Sequence, residues 1–190
     1  MKSRTALVVV AVALALCSAA GAIVLSAGWL AADPSAASRQ PAWTEVQWPF
    51  PMDQFGRGKA FHCSAAECGT PVTLYVRAKI GFCNCTTGVA DDPELERISD
   101  LELIDGTFSA LNHGHPISVA QMKGRSRSYA FNSRNPAYSS ALSMAFNDRC
   151  DAIVATVMLR HNRPDITEPA VIAFLNSQTI MRWIEVTLGL

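Results

Sequence analysis

The chain has 190 residues, of which 16 are basic and 16 acidic, so its formal net charge is zero. Nucleic-acid-binding domains need a basic surface, and this charge balance argues against one. Residues 43–190 amount to about one domain with its own hydrophobic core.

The N-terminal segment reads as an export signal. Lys2 and Arg4 stand directly before residues 6–32, a run without a single charge. Such a run is typical of a signal peptide, and it is also long enough to cross the roughly 30 Å apolar core of a bilayer as a helix. We therefore expect residues 1–32 to form an apolar helix, either a cleaved signal peptide or a transmembrane anchor. In both cases the rest of the chain lies on the periplasmic or outer face.

A linker and three strands follow in the prediction. Residues 33–42 are small and polar and are bounded by prolines, which is typical of a linker. Residues 43–48 alternate apolar and polar side chains and stop at a proline, which predicts an edge strand. Residues 59–63 predict a second strand and residues 72–80 the clearest one. On it Leu74, Val76, Ala78 and Ile80 share one face.

A helix start and a hairpin are predicted next. Asp92 and Pro93 suit the N-cap and the first turn of a helix whose buried stripe would be Leu95, Ile98 and Leu101. A strand over 101–104, turning at Asp105-Gly106, is the rival interpretation. Residues 117–121 and 127–131 alternate around Lys123-Gly124, which predicts a hairpin.

The last part of the chain predicts two more strands and a helix. Residues 140–159 fit either periodicity, and we favour strands because Asn147-Asp148-Arg149 is a turn signal and 153–157 is rich in β-branched residues. After Pro164, Thr167 is expected to cap a closing helix. Its predicted apolar positions are Val171, Ile172, Phe174, Leu175, Ile180 and Ile184. The expected fold class is α+β, an antiparallel sheet packed by helices and preceded by one N-terminal apolar helix.

Several short segments carry a family resemblance. They are Trp48-Pro49-Phe50-Pro51, Gly124-Arg125, residues 151–156 and Phe174-Leu175-Asn176-Ser177. Their succession resembles that of PsbP-like proteins. The resemblance implies an antiparallel sheet between helices and an extracytoplasmic accessory or assembly role, and it carries over no catalytic residue.

Cysteines are the main candidate site residues. Cys63 and Cys68 precede the clearest strand, and Cys83 and Cys85 follow it. A hairpin-like return would make all four neighbours, and disulfides persist in an exported domain. Cys83 and Cys85 are too close in sequence to pair without strain, so we predict that they cross-pair with Cys63 and Cys68. Cys150 is then a buried odd thiol, unless it displaces one of the four.

Metal binding is the main alternative to disulfides. Four thiolates from Cys63, Cys68, Cys83 and Cys85 would suit Zn or Cu, and three histidines add possible ligands. They are His62, His113 and His115. A thiol-redox role is the third interpretation, although the usual C-x-x-C motif is absent.

Catalytic and charged motifs add little. The sequence has no G-x-S-x-G, P-loop or H-E-x-x-H motif, so we expect no catalytic residue, and an enzyme of unknown reaction stays a further alternative. An acidic run over 91–105 and a basic set at Lys123, Arg125, Arg127 and Arg134 are interpreted as solvated faces. The sequence favours a non-catalytic, exported accessory or binding domain without a cofactor. It would contact the membrane through its N-terminal segment and bind an unknown protein partner.

Overall fold

The computed structural model describes residues 41–104, 106–132, 138–160 and 164–190, and the predicted export segment and most of the linker lie outside these ranges. Within them the chain forms eight strands and five helices. The strands are β1 (Trp43–Val46), β2 (Lys59–Cys63), β3 (Val72–Lys79), β4 (Phe108–Ala110), β5 (His115–Val119), β6 (Met122–Phe131), β7 (Ser140–Asp148) and β8 (Asp151–Leu159). The helices are α1 (Ala65–Cys68), α2 (Asp92–Ile98), α3 (Leu101–Ile104), α4 (Pro164–Leu175) and α5 (Gln178–Leu188).

The eight strands build one sheet in the order β1-β2-β3-β8-β7-β6-β4, with β5 also paired to β6. Every pairing is antiparallel. Helices pack on this sheet, which confirms the expected mixed α+β class. β1 lies at one edge of the sheet, as predicted from its short alternating pattern.

One face of the sheet packs against α4 and α5. Successive side chains of a strand point to opposite faces, so alternate positions of β3, β7 and β8 reach this side. They form the largest core with residues of the two helices. Its members include Leu74, Val76, Leu142, Met144, Phe146, Ile153, Val157, Val171, Leu175, Ile180 and Ile184.

The opposite face is covered by α2 and α3. Leu95 and Ile98 of α2 pack on Ala145, Ala152 and Val154, the alternate positions of the two central strands. Leu101 of α3 packs with Tyr129, Ala141 and Met158. All three residues of the predicted stripe, Leu95, Ile98 and Leu101, are buried, but the helix ends at Ile98 and Leu101 belongs to α3. The sheet lies between two helical layers.

Strands β7 and β8 confirm the preferred interpretation of residues 140–159. They form a hairpin that turns at Arg149 and Cys150, and both of its faces are buried. Small apolar residues fill the face under α2, which removes the polar alternation of a half-exposed strand. Because both faces of the hairpin are buried, residues 140–159 are apolar at most positions, and their sequence also fits the periodicity of a helix.

Residues 101–104 form one helical turn, so the rival strand is ruled out. The predicted position of one hairpin turn is wrong. The β5–β6 hairpin forms, but it turns at Ala120 and Gln121 rather than at Lys123-Gly124. Gly124 is a strand residue, and a Cβ there would clash with the Ala145 carbonyl and with Phe146. Glycine therefore permits close strand packing at this position and does not make the turn.

The predicted closing helix is two helices. Thr167 is a buried residue within α4 and not an N-cap. α4 ends at Leu175, and the Asn176 side chain then donates to the Ile172 carbonyl while it accepts from the amide of Ala120 in the β5–β6 turn. Residues predicted to be buried on both helices are confirmed at Val171, Leu175, Ile180 and Ile184.

In the part of the chain that the structure describes, no helix has the length and apolar character needed to cross a membrane. The segment predicted as signal peptide or anchor, residues 1–32, lies outside that part.

Candidate functional site

Two disulfides cross-link the domain, one on each side of β3. Cys63 at the end of β2 is bonded to Cys68 at the end of α1, and Cys85 is bonded to Cys150 in the β7–β8 turn. Cys83 carries a free thiol and is buried. Disulfide formation by this group of cysteines therefore occurs as expected, but between different partners.

The predicted cross-pairing is wrong because β3 holds the two groups of cysteines apart. β2 returns along β3 so that Cys63 lies opposite Val72, at the start of the strand. Cys83 and Cys85 follow its far end. An extended strand rises about 3.3 Å per residue, so the eight residues of β3 span roughly 26 Å. No disulfide bridges such a distance.

Cys150 takes the place of Cys83 as a disulfide partner, which the sequence left open as the alternative to a buried odd thiol. The turn between β7 and β8 brings it beside the segment that follows β3, where its carbonyl accepts a 3.1 Å hydrogen bond from the Cys83 amide. Its Cα lies 4.2 Å from that of Cys85. The odd thiol is Cys83, which is 6% exposed.

Residues 83–89 form a loop that is held against the β7–β8 turn. The Asn84 side-chain oxygen accepts hydrogen bonds from the amides of Thr86 and Thr87, which closes the loop locally. The Asn147 side-chain oxygen accepts from the Val89 amide, and its side-chain nitrogen donates to the Arg149 carbonyl. The disulfide thus joins two segments that already contact each other.

We refer to Cys83, Cys85 and Cys150 as the three-sulfur cluster. Cys85 is exposed, Cys150 is partly buried and Cys83 is buried below them. The Cys83 Sγ donates to the Arg149 carbonyl at 3.3 Å. Burial raises the pKa of the Cys83 thiol, and the carboxylates of Glu94 and Asp151 raise it further. Cys83 is therefore protonated at neutral pH, while the disulfide above it faces solvent.

A pocket of about 310 Å³ opens beside the exposed disulfide. Lys123 and Arg149 bring positive charge to its wall, and Thr86 and Thr87 bring hydroxyl groups. The other lining residues are Cys85, Gly88, Gln121 and Asn147. No carboxylate is among these lining residues, so the pocket suits a small anion better than a cation.

The residues proposed for the metal alternative are not gathered into one site. Cys63, Cys68 and Cys85 are in disulfides, so the four thiolates are not formed in this structure. His62 is exposed on β2, and His113 is fully exposed. His115 pairs with Glu168 at 2.8 Å. Across the described ranges, no group of three or more Cys, His, Asp or Glu has a geometry that would hold a metal ion.

The acidic and basic runs are not independent solvated faces, because they contact each other. Arg125 donates to Asp92 at 2.5 Å, and Arg127 donates to Glu96 at 2.6 Å. Asp92 also accepts from the Gly114 amide with both oxygens. Asp91, and not Asp92 as predicted, caps α2 by accepting from the Glu94 amide.

A buried charge cluster escaped the sequence analysis. Arg77, Lys79 and Asp100 are buried, and the exposed Asp53 joins them from the surface. Arg77 donates to both oxygens of Asp100 and to Asp53, and Lys79 donates to Asp100 at 2.9 Å. Arg77 and Lys79 alternate with apolar residues on β3, a pattern that normally marks a solvent-exposed face. Here α2 and α3 pack on that face and the Phe55 ring lies over both cations, so the alternation does not mark an exposed face.

A second concave surface lies between the sheet edge and the last helix. We call it the β1–α5 groove; its volume is about 620 Å³. Its lining residues are Glu45, Lys59, Phe61, Gln178, Thr179, Ile180, Arg182, Trp183 and Val186. Lys59 and Glu45 pair at 2.7 Å across its strand side. Val186, on α5, is 78% exposed.

Comparisons with known proteins assign no family to this fold and these sites. No protein-family model matches the chain, and no curated protein matches it in sequence.

Proposed function

We propose that this protein is an exported, non-catalytic accessory or binding domain that works at the periplasmic or outer face of the membrane and is held together by its disulfides. The observation that carries the proposal is the pair of disulfides, Cys63–Cys68 and Cys85–Cys150. Disulfides persist in oxidising compartments and are rare in the cytosol. The uncharged run at residues 6–32 supports the same compartment.

An accessory role is supported by the short segments that resemble PsbP-like proteins, and membership of that family stays a prediction. The β1–α5 groove is the surface that we assign to a partner. β1 has a strand neighbour on one side only, and its residues Thr44, Glu45 and Val46 are exposed. An unpaired strand edge offers main-chain donors and acceptors to another extended chain. The proposed partner is therefore an extended polypeptide segment that adds to β1 along the groove.

Export is tested by locating the full-length chain in cells. We expect the chain in a periplasmic or membrane fraction, where protease added to spheroplasts digests it. Its Cys63, Cys68, Cys85 and Cys150 should resist thiol alkylation. The matched control deletes residues 6–32 and should stay in the cytoplasm with these cysteines alkylated. Recovery of the full-length chain in the cytoplasm with reduced cysteines would refute the proposal.

Partner binding is tested with a photo-crosslinking residue at Val186, which is exposed in the groove, and with the same residue at Leu111, which is 45% exposed elsewhere. We expect a discrete polypeptide adduct from position 186 and none from position 111. Val46→Pro, which removes a main-chain donor from β1, should abolish the adduct. Adducts of equal yield at both positions, or at neither, would rule out the groove as the partner surface.

A further inference from the structure

The three-sulfur cluster combines three features that a purely structural disulfide does not need. Its disulfide is exposed at Cys85, a free thiol lies below it at Cys83, and a pocket opens beside it. Thiol–disulfide exchange requires a thiol that reaches a disulfide sulfur and a disulfide that its substrate can reach.

Cys83 is placed as a second partner for Cys150. The 3.1 Å hydrogen bond from the Cys83 amide to the Cys150 carbonyl brings the two backbones side by side. This contact makes Cys83 a direct backbone neighbour of Cys150, as Cys85 is through its disulfide. The Cys83 Sγ already lies 3.3 Å from the carbonyl of Arg149, the residue before Cys150. We infer that rotation of the Cys83 side chain away from the Arg149 carbonyl brings its Sγ to Cys150.

We propose that Cys83, Cys85 and Cys150 form a thiol–disulfide exchange site in which Cys150 pairs with either Cys85 or Cys83, and in which the released Cys85 thiol reacts with small disulfides that carry carboxylates. This activity goes beyond the accessory role proposed above and does not depend on it.

The internal step leaves the number of thiols and the number of disulfides unchanged. The Cys83 thiol loses its proton to solvent, and the thiolate attacks the Sγ of Cys150. A Cys83–Cys150 bond forms while the Cys85–Cys150 bond breaks, and its electron pair leaves on Cys85. The Cys85 thiolate then attacks one sulfur of the substrate disulfide, forms a mixed disulfide and releases the other half of the substrate as a thiolate. The substrate disulfide is the only oxidant.

The resting pairing is the exposed Cys85–Cys150 bond. Burial raises the pKa of the Cys83 thiol, so its attack on Cys150 is slow at neutral pH and becomes faster as the pH rises. Lys123 and Arg149 line the pocket beside Cys85, so an anionic substrate gains attraction there that a cationic one lacks.

The internal step is tested by disulfide mapping of the full-length Cys85→Ala variant. We expect a Cys83–Cys150 cross-link in place of the native one and complete loss of alkylation at Cys83. Retention of Cys83 and Cys150 as two alkylated thiols after oxidative refolding would overturn the proposal. The control, Cys83→Ala, should retain the native cross-link.

A second measurement does not depend on the folding of that variant. Wild-type protein is alkylated at alkaline pH without reductant and digested with trypsin, which places Cys83 and Cys85 in one peptide between Lys79 and Arg97. Fragmentation should locate the label on Cys85, accompanied by a Cys83–Cys150 cross-link. Label on Cys83 alone, with the native cross-link intact, would contradict the exchange.

Substrate class is tested with two probes, glutathione disulfide as the anionic one and cystamine as the cationic one. Formation of the Cys85 mixed disulfide should be faster with glutathione disulfide. Lys123→Glu should slow that reaction roughly tenfold, the lower end of electrostatic steering effects, and spare the reaction with cystamine. Equal rates for both probes, unchanged by Lys123→Glu, would exclude the anionic class.

Discussion

Arg77 and Lys79 are charged residues that the fold buries almost completely, with 2% and 4% of their surfaces exposed. Burial of a charge is costly unless it is paired and hydrogen-bonded, and Asp100 supplies both for the two cations. The rings of Trp48 and Phe55 lie over the Arg77 guanidinium and provide further favourable contacts. Asp100, at the junction of α2 and α3, is therefore the residue that pairs with both buried cations.

Asp100→Ala should lower the free energy of unfolding by about 3–5 kcal/mol, because it leaves two buried cations to the single carboxylate of Asp53. Chemical denaturation measures the loss. The control is Glu102→Ala, which removes an exposed acid two residues further and should change stability by less than about 0.5 kcal/mol. A similar small loss for both variants would mean that the cluster does not stabilise the domain.

Gly88 is the second position where one residue decides local structure. Its φ is 61°, and a Cβ there would overlap the Asn147 side chain that binds the Val89 amide. Gly88→Ala should therefore lower the free energy of unfolding by about 3 kcal/mol, because it strains the backbone and removes this hydrogen bond. Gly56→Ala is the matched control, because Gly56 has a φ of 73° with open space around it and should cost about 1 kcal/mol. Thermal denaturation of both variants measures the two losses of stability. Equal losses would show that overlap with the Asn147 side chain does not matter.

At the scale of elements, α2 is attached to the sheet through ion pairs. Asp92 and Glu96 of α2 bind Arg125 and Arg127 of β6. Arg97 in its last turn binds Glu94 of the same helix and the carbonyl of Phe82 in the loop after β3. The hydrogen bond from Arg125 lowers the pKa of Asp92, and that from Arg97 lowers the pKa of Glu94. These pairs hold α2 over Ala145 and Val154 together with the loop that carries the three-sulfur cluster.

The lowered pKa values predict acid sensitivity. A carboxylate whose pKa is lower in the folded state stabilises that state at all pH values above its unfolded pKa, which is about 3.9 for Asp and 4.3 for Glu. This contribution is lost as the pH falls through the folded pKa. We expect the free energy of unfolding to decrease below about pH 4, and Asp92→Asn to flatten the decrease while lowering stability at neutral pH. Urea denaturation at pH values from 7 to 3 measures this pH dependence. The same decrease of the free energy of unfolding in wild type and Asp92→Asn would show that Asp92 is not its source.

For the whole molecule, the two disulfides differ in the length of chain that they close. Cys63–Cys68 spans a sequence separation of 5, and Cys85–Cys150 spans 65. A cross-link stabilises mainly by restricting the unfolded chain, and the effect grows with the logarithm of loop length. The longer loop joins the segment after β3 to the hairpin at the centre of the sheet.

Removal of Cys85–Cys150 should therefore lower the free energy of unfolding by about 4 kcal/mol, and removal of Cys63–Cys68 by about 2 kcal/mol. The measurement is guanidinium denaturation of the double alanine variants, both in a Cys83→Ser background so that no replacement disulfide forms. A larger loss from Cys63 and Cys68 would show that loop closure is not the dominant effect.

Much of the fold could be predicted from the sequence because its signals are local. Edge strand β1, strands β2 and β3, and the β7–β8 hairpin follow from alternation, β-branched residues and a turn signal. The predictions failed where a contact distant in sequence overrides a local signal. Gly124 marks close packing against Phe146 and not a turn, and Asn176 interrupts the closing helix in order to hold the β5–β6 turn.

The sequence by itself indicated an antiparallel α+β domain and favoured disulfides over a metal site for the cysteines around its best strand. Only the tertiary structure decided their partners. Cys63 and Cys83 lie at opposite ends of a rigid extended strand, whereas Cys150, some 65 residues along the chain, turns back beside Cys85. A disulfide depends on distances in space, and these are set by the order and register of the strands, which no spacing of cysteines in the sequence records.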